Sequence, residues 1–321
     1  MPRISTILTF TDRLGSWKAR WGIDRMNYMV PPGLYAIGIP NPDSPVLVTA
    51  NYKMSYDIVR SVMTGRNCWL FVLETYGINV WCAAGKGTFG TEELVRRINV
   101  SELGKVVNHR HLILPILGAT GVSAHKVTKQ TGFNIHYATI RAKDIPAYLD
   151  NGMNTTPAMK EVSFTTWERV VLIPVELVEA LKPTAIISAA IYIILATLQD
   201  GATGLMAVYG YLGAVFMGTA ITPFLLPWLP GRSFAFKGVL TGLVWSIVFF
   251  TLAGSSGWSL FVTIAACLTI PAVSAFYSLN FTGCTPFTSR SGVKKEMRIA
   301  LPAMGCAVLT SLFIVVIGKF L

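Results

Sequence analysis

The segment 77–90, GINVWCAAGKGTFG, combines glycines, one thiol and one lysine, and these residue types could do chemistry. A phosphate-binding P-loop is the first interpretation to test, because that loop also joins glycines to a lysine. The Walker pattern requires a glycine five residues before its Gly-Lys pair and a Ser or Thr after it. Val80 and Gly87 occupy those two positions here. The segment therefore does not match a P-loop, and Cys82 remains as its candidate reactive group.

The five cysteines stand at positions 68, 82, 267, 284 and 306, far apart in the sequence. No two form a CxxC pair, so the sequence predicts neither a zinc site nor an iron–sulfur cluster on this chain. A nucleophilic cysteine would need a histidine base nearby in space, and the available histidines are His109, His111, His125 and His136. None of them stands in a protease-like local pattern. On pattern alone, Cys82 stays open between a packed core thiol and a functional one.

In the N-terminal half, short β-rich runs alternate with helical patterns. We expect strands at 46–50, 68–73, 112–117, 134–139 and 169–173, and helices at 55–64, from about 91, and at 122–131. The alternation predicts an α/β, doubly wound (Rossmann-like) domain with a largely parallel sheet. Ligands of such folds bind beyond the carboxyl ends of the strands. Three loops can meet there, at 51–53, 77–90 and 118–123.

The C-terminal half is nearly free of charge. Only seven of the 27 Lys and Arg residues and two of the 16 Asp and Glu residues follow residue 182. Five apolar stretches lie at 184–198, 202–226, 234–253, 258–279 and 299–317. Each is close to the roughly 20 residues that a helix needs to cross a bilayer. The sequence thus predicts two domains, 1–182 and then an all-α domain of five transmembrane helices, 183–321.

The connections between these stretches predict the orientation of the spans. The connections 227–233, with Lys237 just after it, and 280–298 are basic, whereas 199–201 and 254–257 contain no Lys or Arg. The positive-inside rule then places the N-terminal domain in the cytoplasm and the C-terminus outside the inner membrane. Charged residues interrupt any apolar run near the N-terminus, so we expect no signal peptide. The spans carry no charge at their centres, which favours a membrane anchor over an ion-coupled transporter.

The net charge of +11 does not predict a nucleic-acid partner. There is no Lys/Arg run, zinc-finger spacing or RNA-binding signature, and basic residues beside spans commonly reflect topology. The segment 11–24 places Leu14, Trp17 and Trp21 among basic residues. It either lies at the membrane interface or packs on the domain as an ordinary first helix, and the sequence leaves both open.

The run 79–86, NVWCAAGK, resembles the signature of the mercury-methylating corrinoid protein family (HgcA) at every position of that motif. The stretches 45–53 (PVLVTANYK), 114–121 (LPILGATG) and 141–149 (RAKDIPAYL) are similar to the corrinoid domain of the corrinoid iron–sulfur protein of acetyl-CoA synthesis. The segment 280–298 resembles the membrane half of the mercury family. Since this chain has no cysteine cluster, it departs from the iron–sulfur protein.

The resemblance implies an enzyme, a corrinoid-dependent methyltransferase that transfers a methyl group from cobalt to Hg(II) and gives methylmercury. It implies a cobalamin-type corrinoid bound base-off, with Cys82 as the lower axial ligand of cobalt and hence the catalytic and metal-binding residue. A thiolate is a soft, strongly donating ligand, and it favours release of methyl to a soft electrophile such as Hg(II). The implied partners are a small ferredoxin with two [4Fe–4S] clusters and a methyl-folate or pterin donor.

The resemblance also suggests which residues surround the cofactor. The expected cofactor-binding residues are Thr49, Asn51, Asn79, Val80, Trp81, Cys82, Ala83, Ala84, Gly85, Lys86, Gly118, Thr120, Gly121 and Ser123. Lys86 could contact a corrin amide or favour the thiolate of Cys82, or be a solvated charge at a helix end. Trp81 could equally be core packing. Two other functions remain open: a membrane-bound methyl carrier of one-carbon metabolism with a non-mercury acceptor, and a receptor or scaffold with a degenerate corrinoid domain.

Overall fold

The computed structural model describes residues 1–253, 258–318 and 320, and it divides into two compact units, Met1–Ser163 and Phe164–Leu321. The connection at 254–257 and the residues Lys319 and Leu321 lie outside the described residues. The predicted domain boundary after residue 182 falls inside a continuous helix, Ile173–Leu198, which runs through Pro183. That the segment 1–182 is an independent domain stays a prediction.

The first unit contains a mixed six-stranded sheet in the order β1-β2-β4-β3-β5-β6. The strands are β1 (Arg3–Ile4), β2 (Gly33–Ile37), β3 (Val46–Ala50), β4 (Cys68–Leu73), β5 (His111–Leu114) and β6 (Asn134–Tyr137). Strands β3 to β6 are parallel to their neighbours in that group, whereas β2 runs antiparallel to β4. The predicted α/β domain is confirmed, with β1 and β2 as strands that the sequence analysis did not identify.

Helices cover both faces of this sheet. They are α1 (Phe10–Arg20), α2 (Lys53–Val62), α3 (Val80–Lys86), α4 (Thr91–Val100), α5 (Leu103–Val106), α6 (Ala124–Thr131) and α7 (Ile145–Asp150). Alternate strand residues enter two separate cores: Val48 and Phe71 pack with residues of α3 to α6, and Leu70 packs with residues of α2 and α7. Two buried faces explain why β4 is an uninterrupted apolar run, CWLFVL.

Residues 169–173 do not form a strand, which corrects one prediction. They lie across the end of α8 (Thr166–Val170) and the start of α9 (Ile173–Leu198). The Thr165 hydroxyl accepts from the Glu168 N–H at 3.3 Å, and the Glu168 carboxylate accepts from the Thr165 N–H at 2.7 Å. This capping box nucleates a helix despite the β-branched run that follows it. Strand β5 also ends earlier than predicted, because Pro115 has no N–H to continue the ladder.

The second unit is helical. Its remaining helices are α10 (Gly201–Phe216), α11 (Thr222–Leu225), α12 (Phe234–Ala253), α13 (Leu260–Asn280) and α14 (Arg290–Ile317). Short 3₁₀ turns of the chain lie at Arg25–Asn27, Ile116–Gly118, Ala142–Asp144, Ala158–Lys160 and Phe281–Cys284, with a π-helical turn at Met217–Ile221.

Within the described part of the second unit, five stretches are long and apolar enough to cross a membrane, which agrees with the five predicted spans. These stretches are Thr166–Leu198, Gly201–Leu225, Phe234–Ala253, Leu260–Gly283 and Ser291–Ile317. The first is longer than predicted because α8 and α9 extend it towards the N-terminus. Their orientation stays a prediction.

Small residues let α12 pack closely on α13. A Cβ on Gly238 would lie 2.5 Å from the Ala275 Cα, and one on Gly242 would lie 2.6 Å from the Pro271 Cα. Neither position could hold a side chain without separating the two helices. Close backbone approach through small residues is typical of packed membrane helices.

Candidate functional site

The parallel part of the sheet has a point at which successive connections run in opposite directions. Its order is β4-β3-β5-β6, so the chain leaves β3 for β4 on one side, and β5 for β6 on the other. Between β3 and β5, the loops that leave the carboxyl ends diverge and create a crevice. The segments after β3, β4 and β5 therefore share this edge, as the sequence predicted.

Cys82 lies on a helix at this edge, within the segment 77–90 that the sequence predicted to be a loop. Asn79 caps helix α3, and its Oδ1 accepts a hydrogen bond from the Cys82 N–H at 2.9 Å. Gly87 ends the helix with a left-handed φ of 86°. An asparagine cap and a terminal glycine are standard helix boundaries, and they hold even this seven-residue segment in helical geometry. Cys82 is thus held on a defined element.

Helix α3 has one face towards the core and one towards solvent. The inward residues, buried or half-buried, are Val80, Ala83 and Ala84. The exposed residues are Trp81, Cys82, Gly85 and Lys86. Residues four apart lie above one another on a helix, so Lys86 lies one turn beyond Cys82. The predicted motif is therefore divided between packing residues and a small exposed surface around one thiol.

The segment 118–123 packs tightly against α3. A Cβ on Gly121 would lie 2.2 Å from the Phe89 carbonyl oxygen and 2.9 Å from the Ala84 Cα. A Cβ on Gly118 would lie 2.6 Å from the Phe89 ring. The Gly121 carbonyl also accepts from the Thr91 N–H at 3.2 Å. Gly118 and Gly121 thus allow a close approach that fixes α3.

Two further predicted residues of this segment, Thr120 and Ser123, are exposed. The Ser123 N–H donates to the Thr91 hydroxyl at 2.8 Å, which ties the segment to the start of α4. Both hydroxyl side chains are therefore available at the surface beside α3.

Asn51 is buried at the carboxyl end of β3 and holds the turn that leads to α3. Its Oδ1 accepts from the Thr75 hydroxyl at 2.8 Å and from the N–H groups of Thr75 and Gly77 at 3.1 and 3.2 Å. Its Nδ2 donates to Glu74 Oε1 at 2.6 Å. Thr49 lies one residue inside the strand and is only 1% exposed. Asn51 and Thr49 are therefore buried and support the carboxyl edge of the sheet from within.

The other described thiols differ from Cys82 in their surroundings. Cys68 opens β4 with no exposed surface, and burial raises the pKa of its thiol to about 12. Cys267 and Cys306 lie on α13 and α14, and the side chain of Cys284 lies outside the described residues. Among the thiols described in the first unit, Cys82 alone is exposed.

The structure pairs two of the histidines with each other rather than with Cys82. His111 begins β5, at the edge of the sheet opposite to the carboxyl ends, and its Nδ1 lies 2.9 Å from His136 Nε2. Burial, together with the charge of His111, lowers the pKa of His136. Within the residues described, no group of three or more His, Cys, Asp or Glu side chains could hold a metal ion by itself.

An open cleft of about 470 Å³ beside the turn after β4 was not predicted. Its lining residues are Met26, Asn27, Met29, Val30, Pro31, Pro32, Asn51, Glu74 and Tyr76. Tyr76 is 66% exposed and has a left-handed φ of 55°, which is uncommon for a residue other than glycine. The cleft lies at the turn that follows the buried parallel strand β4, and this position was the signal that could have identified the cleft from the sequence.

Comparisons with known proteins match this same region. Residues 24–149 match the model of the family described as CO dehydrogenase/acetyl-CoA synthase delta subunit. The acetyl-CoA decarbonylase/synthase complex subunit gamma of Methanopyrus kandleri is 32% identical over 123 residues, which cover 38% of this chain and 26% of that protein. The corresponding subunit of Archaeoglobus fulgidus is 33% identical over 128 residues, covering 39% of this chain and 27% of that protein.

Residues 24–149 thus resemble acetyl-CoA synthase and decarbonylase subunits. The chain spans about a quarter of the length of these curated relatives. The matched stretch contains β2 to β6, α3 and the segment 118–123, and it ends before the first candidate span. The similarity therefore concerns the α/β unit and the edge that carries Cys82.

Proposed function

We propose that the α/β unit binds a cobalamin-type corrinoid base-off and that the chain is a corrinoid-dependent methyltransferase with Hg(II) as acceptor. The observation that carries the proposal is the exposed thiol of Cys82. It lies on a capped helix at the carboxyl edge of a domain similar to acetyl-CoA synthase and decarbonylase subunits. When bound, the corrinoid would supply the cobalt that accepts and releases the methyl group, while the protein supplies ligation and shape.

The surface around Cys82 fits a flat ligand. A Cβ on Gly85 would meet no atom within 4 Å, so packing within the chain does not require a glycine there. Glycine inside a helix is about 1 kcal/mol less favourable than alanine. Close approach of a broad, flat molecule to Cys82 gives a reason for this glycine. Trp81, 40% exposed beside the thiol, offers an apolar aromatic surface to the same molecule.

Cys82 would hold cobalt through its sulfur. Thiolates are soft donors that suit soft, polarisable metal centres and their reactions with soft acceptors such as Hg(II). Asn79 and the buried Ala83 and Ala84 fix the helix beneath the thiol, so its sulfur is presented from a rigid support. Cys68 is unsuited to this role, because it is enclosed and its pKa is about 12.

The remaining predicted residues divide by exposure. Lys86, Thr120 and Ser123 are exposed near α3 and would contact polar groups of the corrin ring or its nucleotide tail. Asn51 and Gly121 would act as positioning residues, because they hold the turn before α3 and the segment packed against it. Thr49 would support the edge from within β3.

We further propose that the chain works with an external electron donor. Its five cysteines contain no CxxC pattern from which a cluster could be predicted, and the donor would be a small ferredoxin with two [4Fe–4S] clusters. The methyl group would come from a methyl-folate or pterin. The spans would anchor the protein in the inner membrane with the α/β unit in the cytoplasm. Sustained methylmercury formation by the purified chain with a methyl donor but no reductant would contradict this requirement.

The test of the function is the absorption spectrum of the purified full chain supplied with cobalamin, together with a methylmercury assay. Cys82→Ala should retain corrinoid through the ring and tail contacts, change the Co(III) spectrum and lose most methylmercury formation. Cys82→Ser should be nearly as damaging, because an alcohol is a poor, hard donor. Cys68→Ala is the matched control: it should keep the spectrum and cost roughly 1 kcal/mol of stability.

A Cys82→Ala protein with an unchanged spectrum and near-normal methylmercury formation would refute the ligand assignment. The similarity to acetyl-CoA synthase and decarbonylase subunits favours a second candidate, a methyl carrier of one-carbon metabolism with a different acceptor. That candidate predicts a spectrum that depends on Cys82 but no methylmercury from Hg(II).

A further inference from the structure

The outward face of α1 carries four large apolar side chains that the first unit does not cover. Phe10 is 78% exposed, Leu14 37%, Trp17 67% and Trp21, directly after the helix, 50%. At about 100° of rotation per residue, these four positions fall within an arc of about 60°. They form a continuous apolar stripe, called the α1 stripe below.

The opposite face of α1 is firmly attached to the first unit. Ala19 is fully buried, and a Cβ on Gly15 would lie 2.7 Å from the ring of Tyr28. Asp12 pairs with Lys53 at 2.6 Å and with Arg60 at 2.8 Å. The α1 stripe is therefore exposed on a helix that is held in place, and not on a frayed terminus.

The exposed charges on α1 itself are of one sign. Arg13 and Lys18 are exposed and flank the stripe on its two sides. Asp12 is the single acidic residue of the helix, and it faces inward, where its charge is paired. Apolar and aromatic side chains between cations suit the boundary between anionic headgroups and acyl chains. A soluble acidic protein would match the cations but not the apolar area.

The position of α1 in the sequence also favours a membrane. The stretch similar to acetyl-CoA synthase subunits begins at Asp24, after α1 has ended. Helix α1 and the five candidate spans therefore both lie outside the matched region. If the five candidate spans cross a bilayer, a bilayer surface is always near this chain.

We propose that α1 is an interfacial helix, whose α1 stripe inserts into the surface of a membrane leaflet while Arg13 and Lys18 contact anionic headgroups. The α/β unit thereby has a membrane contact of its own, through α1. The attachment concerns α1 alone and does not depend on which cofactor the unit binds.

The experiment places a photoreactive benzophenone amino acid at Trp17 in the full chain, reconstituted in nanodiscs of phosphatidylcholine and phosphatidylglycerol. The matched control carries it at Val100, which is 67% exposed on α4. We expect lipid adducts at position 17 in clear excess over position 100. Replacing phosphatidylglycerol with phosphatidylcholine, or making Arg13→Gln and Lys18→Gln together, should lower the adduct yield several-fold.

Adducts at position 17 that join two copies of the chain, or a lipid yield no higher than at position 100, would overturn the proposal. A lipid yield that does not depend on anionic lipid would overturn the assignment of the flanking cations. Reactivity of the buried Cys68 towards a thiol reagent reports whether each variant is folded, so a misfolded protein is not mistaken for a negative result.

Discussion

Gly121→Ala should displace the helix that carries Cys82, and its cost follows from the contacts. The added Cβ would lie 2.2 Å from the Phe89 carbonyl oxygen and 2.9 Å from the Ala84 Cα. Both are backbone atoms, so no side-chain rotation can relieve the overlap. Ordinary contacts begin near 3.5 Å, so the two segments must separate by roughly 1 Å. Overpacking of this kind typically costs about 1–3 kcal/mol.

The assay is the labelling rate of Cys68 in the full chain, followed by mass spectrometry of its peptide. Cys68 has no exposed surface, so it reacts when the first unit opens. A loss of about 1–3 kcal/mol corresponds to labelling about 5-fold to 150-fold faster, provided that reclosing outpaces labelling. The altered position of Cys82 should also change the spectrum with cobalamin.

Gly85→Ala, a substitution on α3 itself, is the matched control. Its Cβ points into open space, so the α/β unit should become more stable by up to about 1 kcal/mol and Cys68 should label more slowly. Cobalamin binding should nevertheless weaken, because the methyl group occupies the surface beside Cys82. Unchanged Cys68 labelling in Gly121→Ala, or equal labelling in the two variants, would refute the packing argument.

Three further outcomes are expected. Burial raises the pKa of Asp12, but hydrogen bonds from Lys53, Thr9 and Arg60 outweigh it and hold that pKa well below its usual range. Because the folded-state pKa is depressed, ionised Asp12 stabilises the protein above about pH 4, and this stabilisation is lost on further acidification. Limited proteolysis of α1 should therefore increase below about pH 4. Asp12→Asn should cost roughly 1–3 kcal/mol at neutral pH and abolish this acid dependence. Reporter fusions at 289–295 and after residue 319 should report opposite sides of the membrane, and a common side would contradict the five-span topology. The isolated segment 1–182 should bind one corrinoid, whereas binding by the full chain only would show that the second unit completes the site.

Strands β3 and β4 could be predicted to the residue, because both faces of these strands are buried. Their runs VLVTA and CWLFVL need no alternation, and polar or turn-forming residues bound them. Strand β2 could not be predicted in this way. Its five residues, GLYAI, become a strand by pairing with β4, and such non-local pairing leaves little trace in a short segment.

The sequence made Cys82 the candidate residue but did not predict the helix on which it lies. The seven residues Val80–Lys86 stand in a glycine-rich segment and look like a loop. The Asn79 cap was the local signal for a helix. Residues 169–173 mislead in the opposite direction, since RVVLI favours a strand while the capping box at Thr165 and Glu168 starts a helix. The packing roles of Asn51 and Gly121 depend on contacts between distant segments, which one sequence does not reveal.

The side chain of Asn51 gives the edge beside Cys82 a particular kind of cooperativity. The amides of Thr75 and Gly77 both donate to the one Oδ1 of Asn51, so neither is released alone when that side chain moves. In hydrogen exchange these two amides should behave as one opening unit, and the turn before α3 should loosen all at once rather than residue by residue. The position of the thiol then depends on one side chain at the end of β3 as well as on the packing of Gly121 against α3.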